Sequence, residues 1–269
     1  MNKIRFLLAR RFTQFLIIAL FIGANSYGWK ILEGDLSASA LFGVIPLADP
    51  FAYIQMFFAG ATVAFDVTLG AVIIFLFYAL IGGRAFCSWV CPVNMISDTA
   101  AWLRKKLGVD AFEKRRYLGR NARYWMIGIA LLLSIIMGVA AFEMVSPVSI
   151  VHRGVIFGFG LGWGVVALLF VFDLFLVRHG WCSHLCPLGG FYSIIGSQSI
   201  FRVKYDVEKC SSCMNCINIC PEKQVLNMIT KESAFVKGGE CTLCARCVEV
   251  CNDSALEFSI RNYIKKESK

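Results

Sequence analysis

Cys210, Cys213, Cys216 and Cys220, followed by Pro221, read C-x2-C-x2-C-x3-C-P, and Cys241, Cys244, Cys247 and Cys251 repeat the spacing. Three thiolates on so short a loop can clasp three irons of a cubane. The fourth is carried away by the following turn and ligates the other cluster. On that rule one [4Fe–4S] cluster takes Cys210, Cys213, Cys216 and Cys251, and the other takes Cys241, Cys244, Cys247 and Cys220. A zinc site would want two C-x2-C pairs split by a longer loop, giving four ligands and not eight. A disulfide framework belongs to an oxidising compartment and rarely packs cysteines this tightly. The spacing therefore points to single-electron transfer, and says nothing of donor or acceptor.

The other four of the 12 cysteines form a second motif. Phe86-Cys87-Ser88-Trp89-Val90-Cys91-Pro92 is echoed by Trp181-Cys182-Ser183-His184-Leu185-Cys186-Pro187. C-x3-C on a helix puts both thiols on one face, and the proline stops the turn. Three readings compete: a further metal or cluster, redox-active thiols, or buried structural cysteines. Duplication at matched positions favours a functional role without choosing the ligand.

The elements that must carry these motifs are apolar. Of 269 residues, 58% are hydrophobic and 17% charged, which points to a membrane. Four stretches approach the ~20 residues that cross a bilayer core: 12–32, 63–81, 124–145 and 155–177. The stretch 41–60 is apolar too, but Pro46, Asp49 and Pro50 interrupt it, so it reads as a re-entrant or surface-lying segment. Basic residues gather before the first stretch (Lys3, Arg5, Arg10, Arg11) and between the second and third (Arg84, Arg104, Lys105, Lys106, Lys114, Arg115, Arg116, Arg120, Arg123). The positive-inside rule then puts both termini and the middle loop in the cytoplasm of a multi-pass inner-membrane protein. A net charge of +9 is read as topology and lipid-headgroup contact, with no nucleic-acid partner. The first stretch lacks a convincing A-x-A cleavage site, so it reads as an uncleaved helix.

Organisation follows. Residues 1–198 read as a four-helix membrane domain in two parallel repeats, each closed by one C-x3-C-P motif and related by an axis along the membrane normal. Residues 199–269 read as a bacterial 2[4Fe–4S] ferredoxin-like α+β domain. So small a tail buries little apolar surface and should fold only with its clusters loaded. Residues 201–205 and 256–260 alternate like short strands. Ser97 or Asp98 is a candidate cap for a helix ending near Gly108, which carries Trp102, Leu103, Arg104, Lys105 and Lys106 toward the inner leaflet.

Three polar residues near the bilayer are candidates for proton handling. Asp173 lies inside the fourth stretch, about a turn before Arg178, as a functional carboxylate or a helix-end ion pair. Glu143 and His152 flank the short outer loop, as bases near the membrane surface or as polar anchors. Gly158, Gly160, Gly162 and Gly164 form small-xxx-small patterns that suit close helix packing or access for a flat ring.

With these motifs in place, the whole chain resembles the NapH family. Ile45-Pro46-Leu47-Ala48-Asp49-Pro50, the Phe86–Pro92 motif and Val177-Arg178-His179-Gly180-Trp181-Cys182 carry the likeness beyond the cluster runs. The resemblance implies a ferredoxin-type membrane subunit of a quinol dehydrogenase in the periplasmic nitrate reductase system. It implies quinol as substrate and a periplasmic iron–sulfur partner, NapG. Asn252 departs from the family, which often has proline after the last cysteine. The chain leaves no room for the extra domains of the wider family, which favours the quinol role over an assembly or maturation factor, or an anchor for a periplasmic oxidoreductase.

Overall fold

A computed structural model describes residues 4–108, 119, 121–158, 160 and 162–261. Lys114, Arg115, Arg116 and Arg120 of the basic loop lie outside the described residues. The chain forms two compact units, one of Met1–Phe12, Phe77–Trp89 and Tyr192–Lys269 and one of Thr13–Leu76 and Val90–Phe191.

The second unit is helical with a small sheet. Helix α1 (Arg5–Tyr27) enters it after Phe12. Strands β1 (Leu32–Gly34), β2 (Ala38–Leu41) and β3 (Ile45–Ala48) make an antiparallel meander in the order β1-β2-β3. Helices α2 (Pro50–Phe58), α3 (Phe65–Ile81), α5 (Val93–Lys106), α6 (Ala122–Met137), α7 (Ala141–Val145), α8 (Pro147–Phe157) and α9 (Gly162–Val171) follow, with α4 (Ala85–Trp89) falling in the first unit. A π-helical turn, Phe172–Leu176, continues α9, and another, Trp181–Leu185, precedes α10 (Pro187–Ile195).

Several of these elements correct the sequence reading. The stretch 41–60 is a hairpin followed by a helix. Pro46 is tolerated because β3 is an edge strand whose only partner in the sheet is β2. Asp49 and Pro50, read as interruptions, start α2: the Asp49 carboxylate accepts from Phe51 N–H at 3.2 Å, and proline suits the first helical position. The third stretch, 124–145, divides at Gly138, whose left-handed φ of 67° closes α6 before α7 begins. The fourth, 155–177, divides at Gly158, where φ is 96°. Gly158 and Gly160 thus serve as helix breakers, and no atom approaches within 4 Å of a Cβ built at Gly164, so close packing is not their role there. Helix α5 starts at Val93 behind Pro92, earlier than Ser97 or Asp98, and the Ser97 hydroxyl is turned to Asp173 instead.

Among the described residues α1 alone is long and apolar enough to cross a membrane; its 23 residues span about 35 Å at 1.5 Å per residue. Only 22% of its apolar window is buried, so it is not the core helix of a soluble domain. Shorter apolar helices cover Phe65–Ile81, Ala122–Met137, Pro147–Phe157 and Gly162–Leu176. They expose Phe75, Leu76, Leu132, Ile136 and Leu168, among others.

The first unit is built on a three-stranded antiparallel sheet, β5-β4-β6, with β4 (Phe201–Tyr205) at its centre, β5 (Ala234–Phe235) and β6 (Leu256–Ile260). The two strands read from the sequence pair with each other from Phe201↔Ile260 to Tyr205↔Leu256. Helices α11 (Asn215–Ile219) and α12 (Arg246–Val250) pack together beside it. The start of α1 is tied down here. Phe6 N–H donates to Glu249 Oε1 at 2.5 Å, Leu7 N–H to the same oxygen at 3.2 Å, and Phe6 meets the Phe258 ring edge-on at 5.6 Å. A carboxylate at a helix N-terminus satisfies donors that have no partner within the helix.

Gly83 and Gly196 let two backbone segments of this unit touch. A Cβ on Gly83 would sit 1.8 Å from Tyr192 O and 2.7 Å from Gly196 N. Gly83→Ala must push one segment away. The expected cost is about 1–3 kcal/mol, as for other overpacked sites, read as a lower thermal midpoint of the detergent-solubilised, cluster-loaded chain.

Candidate metal centre

The two cysteine runs adopt the same backbone. Ser212 and Met214 in the first, and Leu243 and Ala245 in the second, hold left-handed φ values of 58°, 57°, 50° and 62°. Each such non-glycine residue costs on the order of 1–3 kcal/mol and persists only where its surroundings over-determine it. Here the conformation curls each loop tightly, and each run then enters a short helix, α11 or α12. The fourth cysteines, Cys220 and Cys251, cap the ends of those helices in extended conformation.

The chain crosses over between the runs. Cys220 lines one enclosed cavity with Cys241, Cys244 and Cys247, among Val203, Val225, Leu226, Val236, Leu243 and Ala245. On the other side, the charges acting most strongly on Cys216 are those of Cys251 and Cys210. The thiols respond to this crowding. Burial pushes Cys241 up to about 11, and Cys244 adds to it. Burial also raises Cys220, with Cys244 and Cys241 behind it, and raises Cys247 well above the usual thiol range.

All 12 cysteines are free thiols. Among the described residues no three His, Cys, Asp or Glu side chains converge tightly enough to hold a single ion. Four thiols facing a cavity with apolar walls are the donor set a [4Fe–4S] cluster requires.

Helix α4 holds the second run in place. Ser88 Oγ donates to Thr242 O at 2.6 Å and Trp89 Nε1 to Leu243 O at 3.1 Å. Arg84 Nη1 donates to Glu240 O at 2.9 Å and pairs with Glu222 Oε1 at 2.5 Å, both side chains buried. Sequence reading placed Arg84 in the basic loop and Ser88 in the C-x3-C-P motif without a role for either, and passed over Glu222. The legible signal was position: Glu222 and Asp253 each stand two residues past the fourth cysteine of a run.

The C-x3-C-P cysteines are divided. Cys87 lies in α4 and belongs to the first unit, beside Arg84. Cys91, Cys182 and Cys186 belong to the second unit, where Asp173, Cys91 and Cys186 are the charges acting on Cys182. The expected single helical face does not form: α4 stops at Trp89, and Cys91 and Cys186 precede the helices α5 and α10. Gly189 N–H donates to Cys186 Sγ at 3.4 Å. Ser97 Oγ lies 3.5 Å from Cys182 Sγ and bonds Asp173, which also accepts from Trp181 N–H at 3.1 Å. Asp173 is therefore a neighbour of the thiols.

Glu143 stands in a different neighbourhood. It accepts from Ser149 Oγ at 2.6 Å and from Ser37 Oγ, with Arg153 Nη2 at 3.7 Å. Arg153 Nε also donates to Asp35 at 2.8 Å. Glu143 and Arg153 line a cavity of about 400 Å³ whose other walls are Met56, Ala59, Ala61, Gly138, Val139, Ala140 and Met144. The next residue, His152, is buried with its ring edge-on to Phe21 at 4.6 Å. Burial lowers its imidazole to about 4, so it is neutral at physiological pH.

Comparison with known proteins agrees with the cysteine chemistry. A 4Fe-4S binding domain model matches twice, at 63–110 and 159–207, and a 4Fe-4S dicluster domain model matches 202–252. The ferredoxin-type protein NapH of Haemophilus influenzae is 41% identical over 262 residues, covering 96% of this chain and 90% of that one. The chain belongs to the NapH/MauN family of ferredoxin-type proteins. The methylamine utilization ferredoxin-type protein MauN of Methylorubrum extorquens is 42% identical, covering 94% of this chain and 88% of its own. NapH of Escherichia coli is 38% identical, covering 96% and 90%. No solved structure matches. As a NapH/MauN protein the chain is an iron–sulfur electron carrier, and both family models fall on the segments that hold its cysteines.

Thiols raised this far are protonated at neutral pH, and metal ligation must displace those protons. In reconstitution with ferrous iron and sulfide, iron retained per chain should therefore fall as pH is lowered from about 8 to about 6, with protons released on loading. Iron assay of the desalted protein and a pH-indicator dye check both.

Proposed function

We propose that the chain is the membrane electron-transfer subunit of a quinol dehydrogenase, passing electrons toward periplasmic nitrate reduction through a partner of the NapG kind. The reading assigns Cys210, Cys213, Cys216 and Cys251 to one cluster and Cys241, Cys244, Cys247 and Cys220 to the other. The cavity shared by Cys220 with the second run supports it. When bound, the clusters accept electrons singly and can divide a two-electron donor. The C-x3-C-P cysteines have a redox role or hold a further metal, in keeping with the double match of the 4Fe-4S binding model to their segments.

The observation that carries the donor assignment is the cavity at Glu143 and Arg153. Its volume of about 400 Å³ suits a small molecule, and its walls are apolar except at that pair. A quinol headgroup is a flat apolar ring with hydroxyls at opposite ends. The Glu143 carboxylate can accept a hydroxyl hydrogen and take its proton, held in place by Ser37 and Ser149. Arg153 can orient an oxygen by donation, and its bond to Asp35 fixes its direction. His152, held neutral by burial against Phe21, is too weak a base to carry the proton onward.

The exposed apolar side chains of α1, α3, α6 and α9 support a multi-pass arrangement in the bacterial inner membrane, in two repeats, with both termini cytoplasmic and the cavity toward the periplasm. Domain roles follow the division 1–198 and 199–269. The matching identity of MauN favours a second reading of the acceptor, in which the electrons serve methylamine utilization.

Cluster-loaded chain in lipid nanodiscs, mixed with reduced quinol, should lose its visible cluster absorbance. Glu143→Gln should slow this bleaching at least about a hundredfold, the low end of one general acid–base contribution, Arg153→Gln should slow it less, and both should leave reduction by dithionite unchanged. No bleaching of clusters that dithionite still reduces would remove the quinol reading and leave an assembly factor or an anchor for a periplasmic oxidoreductase. Cys220→Ser should damage the second-run cluster; loss of the first-run cluster alone would overturn the crossed assignment.

A further inference from the structure

The two cluster sites are near copies, and one feature breaks their equivalence. Each run ends with a carboxylate two residues past its fourth cysteine. Because the chain crosses over, each carboxylate lands beside the other run. Asp253 accepts from Ser211 N–H at 2.9 Å and from Ser211 Oγ at 2.5 Å, directly after Cys210, and it is only half-buried. Glu222 lines the cavity of the Cys241–Cys247 run and is buried at 1% exposure. Where Asp253 meets a serine, Glu222 meets the guanidinium of Arg84 at 2.5 Å, which comes from outside the ferredoxin-like runs.

Other charges add to the difference. Glu240, just before Cys241, takes one Gln224 donor at 2.5 Å, while Glu222 takes another at 2.8 Å. Against these carboxylates stands a second buried guanidinium, that of Arg202, held by the carbonyls of Gly196 and Ser197 at 2.6 and 2.7 Å. Both Arg202 and Arg84 act on Cys241 as favourable charges. At the first run the strongest influences on Cys216 besides burial and backbone are other cysteines. A reduced cluster carries one more negative charge than an oxidised one. Nearby positive charge in a low-dielectric site therefore favours reduction, and negative charge opposes it.

We propose that Arg84 sets the two cluster sites at different reduction potentials, by cancelling beside the Cys241–Cys247 run the carboxylate charge that Asp253 leaves in place beside the Cys210–Cys216 run. The second-run site is then the one that takes the first electron. Arg84 is a positioning and tuning residue: it acts through Glu222 and the loop carbonyl of Glu240, and it touches no substrate. The inference rests on clusters being bound at both runs.

The experiment is a potentiometric titration of the full-length, cluster-loaded chain in detergent, followed by electron paramagnetic resonance. Iron content and dithionite reduction come first; fewer than two reducible centres would fail the underlying cluster reading and not this proposal. Cys213→Ser, at an exposed ligand, marks the first-run signal by altering its spectrum. Arg84→Gln should lower the unmarked, second-run potential by roughly tenfold in the electron's partition, about 59 mV for a one-electron couple, while Arg84→Lys keeps it. Glu222→Gln should move the same signal upward, and Asp253→Asn should raise only the marked one. Equal movement of both signals, movement of the marked signal alone, or no movement in Arg84→Gln overturns the proposal. If Arg84→Gln loses its clusters, an unmoved signal in Glu222→Gln or in Asp253→Asn overturns it instead.

Discussion

A carboxylate buried two residues from a cluster ligand is a demanding thing to fold around, and Glu222 is held there by the Arg84 guanidinium with help from the Gln224 amide. The Arg84–Glu222 pair, at 2.5 Å with both side chains almost fully enclosed, fixes where the Cys220 turn meets the Cys241 loop. Removing one member of such a pair typically costs 3–5 kcal/mol, because the other is left charged and unsolvated. Around it the rest of the unit is arranged for close approach. Gly83 and Gly196 allow backbones to touch, Gly82 leaves room for the Leu243 side chain, and Ser88 and Trp89 occupy the loop carbonyls. The second run is thus shaped by a segment more than a hundred residues away in sequence.

That distance explains what could be read in advance. The cluster runs and the strands 201–205 and 256–260 were legible because their signals are local: fixed cysteine spacing and short alternation. Apolar content marked the helices, but not their ends. Gly138 and Gly158 stop helices inside runs that hydropathy alone would continue, since a left-handed glycine matters through φ and not through polarity. The β1-β2-β3 meander was missed because proline and aspartate were taken as breaks, whereas on an edge strand and at a helix start they are ordinary.

The chemistry of the site was legible to the same degree. Eight cysteines could be named from spacing, and the shared cavity is consistent with the crossover. The supporting residues could not, because Arg84 beside the second run, Ser97 beside Cys182 and Arg153 beside Glu143 gain meaning only from what folding brings next to them. Asp173 shows this. Read as a functional carboxylate or a helix-end ion pair with Arg178, it joins the Ser97 hydroxyl and the Trp181 amide next to Cys182. Glu143, singled out by its place in the outer loop, borders Arg153 and a roomy cavity that no periodicity could reveal, while His152, singled out with it, is buried against Phe21.

The cap on α1 couples two parts of the first unit. Glu249, which receives the first amides of that helix, lies between Cys247 and Cys251. Two donors that a helix cannot satisfy for itself are thus closed by a carboxylate whose place the second cysteine run dictates. The foot of the long apolar helix and the cluster loop thereby form one mechanical joint, in which a shift of either is felt by the other.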